Sequence, residues 1–285
     1  MYRPPRWLYS RWYVQLVSFV FANSLFLSRF KGFCYPVLNC WACPSANFAC
    51  PIGALQNSAG AARLSLLGGS SWWAVIPLYV LGTLLFFSAL FGRMMCGWLC
   101  PFGWFQELLG RRAIRRPPRW SWYVRYLVLA VLVFIIPFLT SEAWFSKLCP
   151  MGAIEGAIPQ PLLHPELRAE IGWFWYLKIS LMIIILTWAV FYRRPFCNVI
   201  CPLGAIFSLF HRYSAWRIDY ERSKCTDCMY CIKICPQGID PRRDLNGHAC
   251  IGCLECEKCP YDAIHSRPMW NTSCGTNNFC RRDQR

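Results

Sequence analysis

The chain has 285 residues, 56% of them hydrophobic and only 15% charged, with a net charge of +16. Soluble globular domains carry roughly 25% charged residues, so this composition excludes an ordinary soluble enzyme. The nineteen cysteines do not make it a secreted disulfide scaffold either, because such scaffolds are small and soluble.

The apolar residues fall in four runs, near 10–28, 72–91, 122–140 and 172–192. A membrane helix needs about 20 mostly apolar residues, so the runs predict four transmembrane helices. Arg63 and Arg93 enclose 29 uncharged residues. Trp7, Trp12, Trp72, Trp73, Trp120, Trp122, Trp173 and Trp175 cluster at the run ends, as residues of an interfacial belt do. Thirteen Lys and Arg flank the runs on the side of the two termini, against five on the other side. This asymmetry predicts a multi-pass protein of the cytoplasmic (inner) membrane, in contact with lipid, with both termini in the cytoplasm. The run "RRAIRRPPR" (111–119) lies between two spans and is read as a topology signal rather than as a nucleic-acid site. Lys178 lies within the last run, near its outer end, where snorkelling to the interface is expected.

A short motif follows each predicted span in chain order: "CPIG" at Cys50, "CPFG" at Cys100, "CPMG" at Cys149 and "CPLG" at Cys201. The near-constant spacing marks an internal repeat. The second and fourth copies are Cys-x3-Cys-Pro, with Cys96/Cys100 and Cys197/Cys201. They follow alternate spans and so share the inner face. Neither pair completes a cubane, but together they supply the four thiolates that one [4Fe–4S] cluster takes. The Pro is expected to stop a helix, and the Gly to let the chain turn back toward the thiolates. The first copy is richer, with Cys34, Cys40, Cys43 and Cys50, whereas the third has Cys149 alone. Cys40, Cys43, Cys50 and Cys149 make a second four-thiolate set on the outer face, with Cys34 spare or replacing one of them. Disulfides are the other reading of these outer cysteines.

Beyond the last span, "CTDCMYCIKICP" places Cys225, Cys228, Cys231 and Cys235 in the bacterial ferredoxin spacing. "CIGCLECEKCP" repeats it with Cys250, Cys253, Cys256 and Cys259, one residue shorter in its last interval. The fourth Cys of each run ligates the other cluster. Cys225, Cys228, Cys231 and Cys259 are therefore assigned to one [4Fe–4S] cluster, and Cys250, Cys253, Cys256 and Cys235 to another. The expected architecture is a four-span membrane domain in a twofold repeat (1–217), a small α+β two-cluster ferredoxin domain (218–268) and a polar tail (269–285) that holds Cys274 and Cys280.

Cys96/Cys100, Cys197/Cys201 and the eight ferredoxin cysteines resemble a known family. They are similar to the NapH-type membrane ferredoxin subunit of periplasmic nitrate reduction and to the ferredoxin-like half of the NosR proteins of nitrous oxide respiration. The resemblance implies an electron-transfer subunit of quinol dehydrogenase type, with quinol as the small-molecule partner. The outer cysteines depart from the NapH pattern. The sequence reading is a membrane-bound iron–sulfur protein that passes electrons between quinol or a cytoplasmic donor and a respiratory reductase pathway. Its redox partners are proteins on one or both membrane faces. A reading from a different class is an assembly or regulatory factor that uses its clusters to reduce a metal or thiol while another enzyme matures. His164, His211, His248 and His265 form no recognisable haem or quinone site.

Overall fold

The computed structural model describes residues 11–23, 34–40, 48–69, 76–113, 115 and 117–269. Cys43, Cys274 and Cys280 lie outside them, as do Trp7, Trp72 and Trp73.

The first helix, α1 (Arg11–Ala22), turns its polar residues inward. Arg11, Gln15 and Ser18 are buried, while Tyr13, Val17, Val20 and Phe21 are exposed. A helix built this way suits lipid outside and polar partners inside. Those partners are backbone carbonyls: Gln15 Nε2 donates to Gly97 O at 2.8 Å and Ser18 Oγ to Leu99 O at 2.7 Å. Next come α2 (Pro51–Leu67), α3 (Leu78–Phe91), the short α4 (Met94–Trp98) and α5 (Pro101–Leu109). A long helical segment, α6, spans Trp120–Thr140, and after several short turns α7 spans Trp173–Phe191. These two are the described helices long and apolar enough to cross a membrane. They expose apolar side chains such as Leu127, Leu139, Ile184 and Phe191. The first and second expected spans are represented by α1 and α3, which are shorter within the described residues.

Segment α6 carries a π-helical stretch over Leu129–Ile135, followed by Pro137. Proline has no N–H and its ring clashes with the carbonyl four residues earlier, so local widening of the helix there has a physical cause. After α7 the chain repeats the pattern that follows α3, with a short α8 (Pro195–Val199) and then α9 (Pro202–His211). One apolar core draws on all these helices, from Cys34 to Phe207.

A second core lies between residues 218 and 264 and packs Met94, Trp98 and Trp122 against it. It is framed by β1 (Trp216–Tyr220) and β2 (Ile264–Pro268), antiparallel with Ile218 opposite Ser266. The short helix α10 (Tyr230–Ile234) and a 3-10 turn over Glu255–Lys258 lie between the strands. The two cores are closely joined. A Cβ on Gly97 would lie 2.6 Å from the Ile251 carbonyl oxygen, so only glycine lets the two backbones meet there. Trp98 Nε1 donates to Gly252 O, and Arg11 pairs with Glu255 at 3.2 Å.

Candidate metal centres

All four copies of the repeat fold alike. Cys50, Cys100, Cys149 and Cys201 each sit in extended backbone immediately before a helix, with the proline in its first turn. This corrects the expected roles of the motif. The proline starts a helix rather than stopping one, because its missing N–H is unneeded there and its fixed φ suits that position. The glycine lies inside that first turn rather than reversing the chain. Its N–H is directed at the cysteine sulfur in every copy, by Gly53, Gly103, Gly152 and Gly204. The small residue is also needed for contact. A Cβ on Gly103 would come within 3.2 Å of Cys96 O, and one on Gly204 within 3.2 Å of Cys197 O.

At one end of the helical region Cys96, Cys100, Cys197 and Cys201 are all buried. Cys201 lies within electrostatic reach of the other three, and Cys100 of Cys96 and Cys197. Gln106 Nε2 donates to Cys197 Sγ at 3.1 Å. Three buried arginines surround the group, Arg93, Arg125 and Arg194. Arg93 reaches across to Cys197 O and Arg194 reaches back to Cys96 O, so the two halves exchange guanidinium contacts. Arg194 and Arg11 share the carboxylate of Glu107, each at 2.7 Å.

These residues escaped the sequence reading, which assigned Arg11, Arg93 and Arg194 to topology. A signal was present: both halves read Arg-x2-Cys-x3-Cys-Pro-x-Gly, from Arg93 and from Arg194. The charges are internal, so part of the basic excess serves the thiol site.

At the other end Cys50 and Cys149 are buried, and Cys149 lies within electrostatic reach of Cys50 and Cys40. Cys34 is buried beside Cys50. The described cysteines are free thiols. Buried Glu155 accepts from the Cys40 N–H, and burial pushes its carboxyl up to about 7. Lys178 reaches the Cys149 turn. It is half-buried, with Nζ 3.0 Å from a Cβ placed on Gly152 in the Cys149 turn.

In the second core, Cys256 lies within electrostatic reach of Cys253, Cys250 and Cys235, and Cys231 of Cys259. An exchange of fourth cysteines between the two runs would need these neighbours. A small cavity of about 20 Å³ is walled by Cys235, Cys250, Cys253 and Cys256 among apolar residues. Burial pushes the Cys235 and Cys250 thiols up to about 11 and Cys253 up to about 12. Thiolates are stable in such a place only beside a metal or other positive charge, so the donor set fits a thiolate-bound metal cluster. Cys225 is half-buried and Cys228 exposed. The two runs share backbone detail. Asp227 and Gly252, and then Met229 and Leu254, all adopt left-handed φ. The Asp227 and Gly252 amides donate to Cys225 and Cys250 sulfurs. The shorter second interval is met by the tighter 3-10 turn that ends at Cys259, in place of the α-helical turn that ends at Cys235. Among the described residues no three His, Cys, Asp or Glu converge on a single ion. Cubane ligands stand farther apart than that, each on its own iron.

Comparison with known proteins bears on these thiols directly. A family described as a 4Fe-4S binding domain matches residues 73–119, 123–158 and 172–219. The three segments contain Cys100, Cys149 and Cys201 with their Pro-x-Gly turns. The regulatory protein NosR of Stutzerimonas stutzeri is 28% identical over 209 residues, 69% of this chain and 27% of that protein. The ferredoxin-type protein NapH of Haemophilus influenzae is 27% identical over 192 residues, 60% of this chain and 61% of that protein. The chain is a homologue of the NapH- and NosR-type ferredoxin proteins. An uncharacterized protein of Methanocaldococcus jannaschii is 26% identical over 212 residues, 70% of this chain and 81% of its own. The chain thus spans less than two thirds of its NosR and NapH relatives. No solved structure matches.

Proposed function

We propose that the protein is a four-span carrier of electrons in the cytoplasmic membrane, its ferredoxin domain (218–268) docked at the inner face. Four [4Fe–4S] sites are assigned. Two belong to the ferredoxin domain, held by Cys225, Cys228, Cys231 and Cys259 and by Cys235, Cys250, Cys253 and Cys256. One is held by Cys96, Cys100, Cys197 and Cys201, and one at the outer face by Cys40, Cys43, Cys50 and Cys149. Bound clusters supply one-electron redox chemistry. The chain's own residues ligate, bury and hydrogen-bond the sulfurs, which sets potential. The reading rests above all on one observation: two sequence-distant Cys-x3-Cys-Pro pairs meet in a buried site that abuts the cavity walled by the second ferredoxin set. Quinol or a cytoplasmic donor at one end and a respiratory reductase pathway at the other are the partners that the NapH- and NosR-type resemblance implies.

Iron and acid-labile sulfide per chain test the assignment. Cys100→Ser and Cys201→Ser are each expected to lose about four irons, and the double variant no more, because one cubane is held or not. Additive losses, or unchanged iron, would remove the shared site. For topology, a reporter active only outside the cytoplasm should be silent after Arg285 and active near Pro161; the reverse pattern would invert every assignment of side.

A further inference from the structure

Buried ionic groups at the Cys96 end do not balance within the protein. Arg11 and Arg194 are matched by Glu107 and Glu255. Arg93 and Arg125 are just as deeply buried, at 0% and 1% exposure, and no carboxylate among the described residues pairs with either. Both donate to the same carbonyl, His248 O, which brings two like charges together. Among the described residues, Arg93 Nε and Arg125 Nε and Nη1 have no acceptor. An arginine side chain cannot shed its proton in a protein. An isolated buried cation costs several kcal/mol, and a repelling pair costs more.

Repeat symmetry shows where the missing carboxylate would be. Glu107, which pairs with Arg194, lies seven residues after Cys100. The residue seven after Cys201 is Ser208, whose hydroxyl bonds Tyr126 instead. One arginine of the reciprocal pair therefore has its counter-charge within the protein and the other does not. Arg125 also donates to the Tyr126 hydroxyl at 3.3 Å and lies over its ring, but that group is neutral. The neighbours that can carry negative charge are sulfurs: Cys96 and Cys197 lie within electrostatic reach of Arg93, and Cys96 and Cys201 within reach of Arg125. Burial this complete shuts out a solvent anion or a lipid headgroup.

We propose that Arg93 and Arg125 are the counter-charges of a cluster dianion held by Cys96, Cys100, Cys197 and Cys201, and that they raise its reduction potential. This rests on the cluster assignment above. A [4Fe–4S] core with two positive charges and four thiolates is doubly negative, which two guanidinium groups balance. One added electron makes a trianion, which the same pair stabilises more strongly, with no proton taken up. Arg93 also lies within electrostatic reach of Cys250, so the cations stand between this site and the second ferredoxin set. Both arginines are positioning residues: they act on the cluster's charge and touch no substrate.

Removing a charge has opposite consequences with and without the dianion. In cluster-loaded protein, Arg93→Gln is expected to lower thermal stability and to move the potential of this cluster to more negative values in an EPR-monitored redox titration. Arg125→Gln and Ser208→Glu should move it the same way, and Arg93→Lys should restore most of the shift. In the cluster-free Cys100→Ser/Cys201→Ser background, Arg93→Gln should raise stability, because it removes an unbalanced cation. A merely structural arginine, valued for its bonds to His248 O and Cys197 O, would destabilise both backgrounds when replaced. Destabilisation of both, or an unmoved potential in whichever of Arg93→Gln, Arg125→Gln and Ser208→Glu keeps its iron, overturns the proposal. If the Gln variants lose this cluster, the stability comparison decides; if the cluster-free background does not fold, the potentials decide. Iron unchanged in Cys100→Ser/Cys201→Ser sinks the cluster assignment itself, a different outcome from iron lost without reversal of sign.

Discussion

The two ends of the helical region use the same cysteine turn in different surroundings. At the Cys96 end, both halves of the repeat contribute a pair of cysteines, an arginine three residues before the first and a glycine amide to the second. At the Cys149 end, one half brings Cys34, Cys40 and Cys50 and the other brings Cys149 alone, beside Glu155 and Lys178. The turn is therefore a general device for presenting a thiolate at the start of a helix. The charge around it is what distinguishes the sites, with guanidinium groups at one end and a carboxylate and an ammonium at the other. Cationic surroundings favour the reduced, more negative state of a thiolate cluster and acidic surroundings disfavour it, so the two ends should differ in potential.

Three outcomes would break or sharpen this contrast, beginning with the largest. Cys149→Ser and Cys201→Ser should each remove about four irons per chain and together about eight, since they belong to separate sites. A double variant that loses no more than either single would merge the two ends into one centre. Cys43→Ser should behave like Cys149→Ser and Cys34→Ser should keep its iron; the opposite result makes Cys34 the fourth ligand. Next in size is Gly97→Ala, which forces a Cβ against the Ile251 carbonyl. Overpacking of this kind costs about 1–3 kcal/mol. Thermal unfolding should shift downward, and proteolysis should release the segment after Ala215 faster than in Gly82→Ala, where the added atom meets nothing within 4 Å.

The last effect is a pH dependence at the Cys96 end. Burial, then Arg93, then His248 hold the His211 imidazole down to about 3, against an ordinary value of 6.5. Its Nδ1 accepts from the Arg93 N–H, so the neutral ring is the one built in. Between these two values the unfolded chain binds the extra proton, so stability is full above about pH 6.5 and falls as pH drops toward 3. His211→Gln should flatten this part of the stability profile, and an unchanged slope would assign the acid sensitivity to other groups.

Much of the site was legible because metal ligation constrains sequence tightly. The ferredoxin runs, the exchange of Cys235 and Cys259, and the repeat at Cys50, Cys100, Cys149 and Cys201 all follow from spacing. The apolar runs at 122–140 and 172–192 were readable from hydropathy within two residues of the helices Trp120–Thr140 and Trp173–Phe191. The charges were harder. Arg93 and Arg111 look alike in a sequence near a membrane, yet Arg93 is wholly buried while Arg111 lies over the Trp12 ring at 4.4 Å. Only the meeting of two distant segments separates an internal cation from an interfacial one. The proline was misjudged for a related reason: it breaks the helix behind it and starts the helix ahead, and the motif alone does not say which side carries the load.

The reciprocal contacts of Arg93 and Arg194 also bear on how the chain is made. Cys96 and Cys197 lie about one hundred residues apart, and synthesis proceeds at about 5–20 residues per second. For several seconds of every translation, the first half stands with Arg93, Cys96 and Cys100 unmatched. The pocket is closed only when α7 has emerged and the Cys-Pro turn after it has docked. Until then the first half presents an open, cationic, thiol-lined face, so a truncated chain ending before Cys197 keeps that face unmatched.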